Sequence, residues 1–172
     1  MMGLRRKYIV IFLMLPFFVF AAVPVVLDNS RVLSYVEKNL PRIGTLKQTW
    51  EGFLYIELPD EYVFGVLPLL AEYHVRPPPY FGRGKVGAHI TVATAREIAN
   101  RNFPVVASLG EKIPFSIVHF SKVHLENSLI GSTVYMLIIE APRILQIRAA
   151  LGLPLTIGED YFHITIAVDD PF

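Results

Sequence analysis

The chain has 172 residues, 53% of them hydrophobic and 18% charged, proportions that suit one globular domain rather than a disordered tail. A net charge of +1 provides no overall basic field of the kind that marks a duplex-binding protein, so any nucleic-acid contact has to be local. There is no cysteine, which excludes disulfides, thiolate metal sites and cysteine nucleophiles.

At the N-terminus Arg5, Arg6 and Lys7 precede residues 8–27, an uncharged apolar run. About 20 apolar residues can span a bilayer, whereas the apolar core of a secretory signal is usually shorter. Pro16 and Pro24 would kink the run, and Val19-Phe20-Ala21 is a poor cleavage site. Residues 1–27 are therefore expected to be a membrane anchor, as an N-terminal hydrophobic helix, or a cleaved signal peptide, followed by a single domain over 28–172. The basic residues should stay in the cytoplasm, which predicts an exported or membrane-anchored domain outside it.

Further along, "NSRVLSYVEKNL" is weakly helical from a cap at Asn29 or Ser30, and "GFLYIELP" (52–59) is strand-like and stopped by Pro59. "DEYVFGVLPLLAEY" (60–73) has helical spacing interrupted by Gly65 and Pro68. The three prolines of "RPPPYFGRG" (76–84) demand an extended loop. "GAHITVAT" (87–94) reads as a strand, and Thr94 and Glu97 in "TAREIAN" have capping-box spacing for a short helix. "IPFSIVHFSKVHLE" (113–126) reads as a bent or broken strand and "STVYMLIIEAP" (132–142) as a stronger one. "RILQIRAALGLP" (143–154) is an amphipathic helix with Ile144, Ile147 and Leu151 on its apolar face, and the strand "YFHITIAV" (161–168) follows. Each half thus gives strand, helix and a strand bearing His-Ile-Thr, which points to an internal duplication of β-α-β units and an α+β fold.

Side chains two apart on a strand share a face. Tyr161, His163 and Thr165 should therefore lie on one face of the last strand, with Phe162, Ile164, Ile166 and Val168 on the other. In the earlier strand Lys85, Gly87, His89 and Thr91 share a face, if the strand extends that far back, opposite Ala88, Ile90 and Val92. A single His-x-Thr would read as an ordinary sheet residue, but its recurrence on matching elements asks for a shared function. His74, His119 and His124 have no such pattern and read as structural or surface residues.

"AHITV" and "FHITI" resemble the paired motifs of the two-histidine (2H) phosphoesterase superfamily, which includes RNA ligase-like cyclic phosphodiesterases and RNA-repair-like, or Swiss Army Knife, domains. The likeness covers roughly residues 50–170. It implies two lobes with antiparallel sheets around a central groove lined by both His-x-Thr pairs, and a substrate such as a 2′,3′-cyclic phosphate or a related RNA or nucleotide phosphodiester. Export would favour scavenged oligonucleotides or cyclic nucleotides over RNA repair.

The residue types fit such chemistry by themselves. Two imidazoles with ordinary pKa values of about 6.5 can hold opposite protonation states near neutrality, one taking a proton from the nucleophile and one giving a proton to the leaving oxygen. The catalytic set is then His89, Thr91, His163 and Thr165, the hydroxyls donating to non-bridging phosphoryl oxygens. Tyr161 could stack on a base or bond a phosphate, or be a plain sheet aromatic; Arg83 and Lys85, in the glycine-flexible "GRGKVG", could meet the phosphate or be a solvated turn. No metal or other cofactor is required, duplex DNA is not an expected partner, and a monomer is expected. A metal site is the weaker rival, since neither motif has a carboxylate at ligand spacing. The alternatives from another class are a non-catalytic module that binds a phosphorylated nucleotide or RNA end, tethered at the membrane, and a membrane-tethered interaction domain.

Overall fold

The computed structural model describes residues 24–99, 108–125, 133–157 and 161–169. Strand β1 (Val25–Val26) precedes helix α1 (Ser30–Asn39), whose N-terminus is capped by the Asn29 side chain accepting from the Val32 N–H at 3.1 Å. Strands β2 (Ile43–Gln48) and β3 (Leu54–Glu57) form a hairpin. Gly65 and Pro68 divide the following helical stretch into α2 (Glu61–Phe64) and a 3-10 helix (Leu67–Tyr73). Then come β4 (Val75–Arg76), the proline loop, β5 (His89–Ala93) and α3 (Ala95–Ala99). Strand β6 (Lys112–Pro114) is parted from β7 (Ser116–His124) by Phe115 alone. Strand β8 (Thr133–Glu140), helix α4 (Pro142–Ala150) and β9 (His163–Asp169) complete the order.

Among the described residues the strands β1 to β9 pair antiparallel, in the order β1-β7-β8-β9-β5-β3-β2-β6, with β4 also pairing to β9. The expected duplication takes a particular form: β2, β3, α2 and β5 in one half, β7, β8, α4 and β9 in the other, meeting where β5 pairs with β9. The two strands of each unit are antiparallel neighbours, so the connection through the helix leaves and re-enters the sheet at the same end rather than crossing over it. The expectation of separate sheets on two lobes is corrected, since backbone pairing runs through both halves and makes one open sheet. Flat, six strand spacings of about 4.8 Å would separate β6 from β7 by roughly 29 Å. One residue cannot span that gap, so the sheet curls and brings its ends together around the core.

Buried Leu46, Ile56, Ile90, Leu137, Ile164 and Ile166 from the strands pack with Val32, Val36, Tyr62, Leu70, Ile144 and Ile147 from the helices. His89 and His163, each one residue from a core isoleucine, are thereby turned to the face away from the helices. The alternation expected for the last strand does not hold to its end. A register shift between Tyr135 and Met136 moves Val168 off the Ile164–Ile166 side and into a second cluster with Val123, Val134, Met136 and Ile138.

Among the described residues no helix is long and apolar enough to cross a membrane. The expected N-terminal helix falls mostly on residues 1–23, outside the described residues, whereas Val25–Val26 at the end of the apolar run belong to the sheet as β1.

The two halves join through Ile90 and Ile164, both wholly buried. Ile164→Ala should therefore destabilise the fold by about 2–5 kcal/mol, read as a lowered urea midpoint, because the cavity would open where neighbouring strands leave no room to relax.

Candidate active site

The antiparallel register that sets Ile90 against Ile164 carries Thr91 opposite His163 and His89 opposite Thr165. The two His-x-Thr pairs therefore form a four-cornered patch, each histidine facing the other motif's threonine. The histidines lie on its diagonal, at the Cα separation of about 7–8 Å that such pairs have. Outside the patch Tyr55 and Glu57 flank it from β3, and Met136 and Ile138 from β8.

Each imidazole is held in the same way. His89 Nδ1 lies 2.7 Å from the Gly87 carbonyl oxygen and His163 Nδ1 lies 2.8 Å from that of Tyr161. A carbonyl only accepts, so Nδ1 carries the hydrogen in both rings and Nε2 is the nitrogen left to exchange a proton. Gly87 is built for this duty: its φ of +70° is in the left-handed region, and a Cβ there would meet Asp60 Oδ1 at 2.5 Å. That same oxygen accepts from the Ala88 N–H at 3.0 Å and fixes the turn into β5. The Glu57 carboxylate, across the strand from His89, is engaged by Lys47 at 2.7 Å, so the orienting group of His89 is backbone rather than acid.

The surroundings of the two rings differ. His89 has Tyr80, Phe53 and Tyr55 edge-on around it, at ring-centre distances of 4.8, 5.5 and 6.0 Å. Burial by these walls lowers its pKa from the ordinary histidine value; the Gly87 bond opposes the shift and the neighbouring His163 charge adds to it. Tyr80 also ties the motifs together, its hydroxyl donating to the Thr165 carbonyl at 3.2 Å and its own carbonyl accepting from the Gly87 N–H at 3.1 Å. Burial raises the Tyr80 pKa strongly, so the hydroxyl stays a donor through the neutral range.

A cavity of about 160 Å³ opens beside the patch, lined by Thr91, Thr94, Ile157, Tyr161, Phe162 and His163. Tyr161 is 63% exposed and forms its rim. Lys85 lines a second cavity, of about 460 Å³, together with Asp60, Glu61, Phe81 and two neighbours of His89, Glu57 and Gly87, and Arg83 is exposed in the loop before it. Five of the seven residues singled out in the sequence, His89, Thr91, Tyr161, His163 and Thr165, thus lie in the patch or the cavity beside it, and Lys85 and Arg83 lie in the loop that leads into β5. It adds Tyr80, Phe53, Tyr55, Thr94 and Ile157, which no short motif marked; Thr94 alone had a signal, its capping spacing, and that pointed to a helix start. Thr94 and Glu97 do form that box, with Glu97 Oε2 2.8 Å from the Thr94 N–H and Thr94 Oγ1 3.2 Å from the Glu97 N–H. No group of three or more metal-ligating side chains occurs among the described residues. His74 and His124 are exposed and His119 is half-buried on β7, away from the patch.

A family model described as "Swiss Army Knife, 2H phosphoesterase domain" matches residues 54–171, more than half of the chain. The chain belongs to the 2H phosphoesterase family. Comparison with curated proteins and with solved structures found no match. The matched span of this 2H phosphoesterase begins at β3 and contains both His-x-Thr strands, and it accords with phosphodiesterase-type activity in general.

Because burial is the main cause of the His89 shift, opening a wall should reverse it. Tyr80→Ala is expected to move the titration midpoint of the His89 ring upward, toward the ordinary histidine value, in proton NMR of the ring. A midpoint that stayed put or fell would mean that the aromatic enclosure is not what depresses it.

Proposed function

We propose that the protein is a metal-independent phosphodiesterase that opens 2′,3′-cyclic phosphates or related RNA and nucleotide phosphodiesters by two-histidine acid–base catalysis. The observation that carries the reading is the crossed patch of His89, Thr91, His163 and Thr165, with Nδ1 of both rings engaged and Nε2 of both available. In the proposed reaction His89, whose burial keeps it neutral, takes a proton from water at Nε2 as the water oxygen bonds to phosphorus. The bond from phosphorus to one ribose oxygen breaks, and His163 gives that oxygen a proton. A phosphomonoester and a free hydroxyl result, and exchange with solvent restores the two rings. Thr91 and Thr165 donate to the non-bridging oxygens as charge gathers there. The cavity of about 160 Å³ is smaller than the range of about 300–1,000 Å³ usual for whole ligands, which suits a site that grips one part of an extended substrate.

His89→Ala and His163→Ala should each remove nearly all turnover of a 2′,3′-cyclic nucleotide, and the double variant should be little worse, because groups that act as a unit are not additive. Thr91→Val and Thr165→Val should cost about 10- to 1,000-fold each. The pH profile should be bell-shaped, its acid limb lying below the ordinary histidine value because the base must be deprotonated and burial lowers its pKa. EDTA should leave the rate unchanged; abolition by EDTA, or a dispensable histidine, would sink the mechanism. Tight binding without turnover would instead favour a module that holds nucleotide ends.

The domain is also proposed to work outside the cytoplasm, on the strength of Arg5, Arg6 and Lys7 ahead of the apolar run at 8–27. A reporter fused after Phe172 should behave as exported, and cytoplasmic reporter activity would refute this.

A further inference from the structure

Helix α4 carries one charged residue into the core. Arg148 has no exposed surface, yet every N–H of its guanidinium is used. Nε donates to the Pro154 carbonyl at 2.7 Å; Nη1 donates to the Val92 carbonyl at 2.7 Å and, at 3.5 Å, to Glu97 Oε2; Nη2 donates to Glu97 Oε1 at 2.7 Å and to the Thr156 carbonyl at 2.6 Å. These five bonds match the five N–H groups that an arginine has. Burial raises the pKa of the Glu97 carboxyl, but bonds from Arg148 and Thr94 outweigh that effect and hold it below the ordinary carboxylate value, so the pair is ionic.

A buried ion pair is weak as a source of stability, because desolvation cancels much of the attraction. The location of the partners is more telling. Val92 follows Thr91; Glu97 forms the capping box with Thr94; Thr156 precedes Ile157. Thr91, Thr94 and Ile157 are half of the residues that line the cavity beside His163. One guanidinium therefore holds three separate pieces of wall from behind without touching the cavity itself. Residues 153–156, which carry Ile157, form neither helix nor strand, so bonds such as these set where that wall stands.

We propose that Arg148 is a positioning residue that sets where Thr94 and Ile157 stand in the substrate cavity, against a Thr91 already fixed by the pairing of β5, and thereby governs substrate affinity while leaving the reacting groups to the paired strands. This rests on the reading of that cavity as the substrate site. An ammonium has three donors in place of five and cannot span the fork, so lysine does not replace this arginine.

The test uses the full-length chain and 2′,3′-cyclic AMP. Arg148→Lys should raise KM about 10-fold with kcat changed no more than about 3-fold, since loss of uniform binding appears in KM. Glu97→Gln, which removes the ion pair but keeps the carbonyl bonds, should raise KM by a smaller factor in the same sense. A merely structural role predicts the opposite split, kcat falling with the folded fraction while KM stays fixed, and that outcome in either variant overturns the proposal. Amide hydrogen exchange supplies a readout that needs no activity. In Arg148→Lys, or in Glu97→Gln if the first does not fold, exchange at 153–157 should accelerate at least about 10-fold while β5 and β9 stay protected. Uniform loss of protection across the sheet, or none at 153–157, overturns it. Should the wild type leave cyclic AMP intact, the hydrolase reading fails on its own and the exchange pattern alone decides the role of Arg148.

Discussion

The site depends on one short backbone pairing. Where β5 meets β9, the two halves of the chain share hydrogen bonds, and Ile90 lies across from Ile164. Because side chains alternate along a strand, burial of these two isoleucines forces their neighbours onto the opposite face. Two histidines and two threonines then emerge together as a crossed set. A slip of one residue would turn that set into the core and expose the isoleucines, a change that the lost apolar burial opposes strongly. Packing in the core thus specifies the geometry of the polar face, and no interaction within the polar face has to.

Symmetry in the backbone does not extend to the environment. Both rings are oriented by a carbonyl two residues upstream, in bonds of nearly equal length. The aromatic enclosure made by Tyr80, Phe53 and Tyr55 belongs to His89. The cavity with Thr94, Ile157 and Tyr161 opens beside His163. The duplicated scaffold is thus decorated differently on its two sides, and burial lowers the pKa of His89 from the ordinary histidine value.

Much of the organisation was legible in the residues. Local signals with a direct mechanism were reliable guides: the Asn29 cap, the Thr94–Glu97 box, the break at Gly65 and Pro68, and the absence of helix and strand from the three prolines at 77–79 all match what those side chains do to a backbone, although turns at 79–80 and 83–84 keep the loop from being extended throughout. The His-x-Thr repeat marked the chemical pair in each strand because period-two alternation is a property of the strand itself. Arg148 was not legible as a buried group. On the helix alone it is an ordinary charged position near the C-terminus, and its acceptors come from β5, α3 and the segment after α4. Nor does the charge of Arg83 and Lys85 reveal that Lys85 shares a cavity with Glu57, Asp60 and Glu61.

By itself the sequence determined the kinds of element, the faces of the two motif strands and the pair of residues each strand offers, since these follow from alternation, capping and turn chemistry within a few residues. Only the tertiary structure decided that the halves share one curled sheet, that each histidine lies opposite the other motif's threonine, and that His89 is walled by Tyr80, Phe53 and Tyr55. The reason is range. Strand neighbours, aromatic walls and the partners of a buried guanidinium are chosen by packing between residues far apart in the chain, and no local pattern encodes which distant strand will lie alongside.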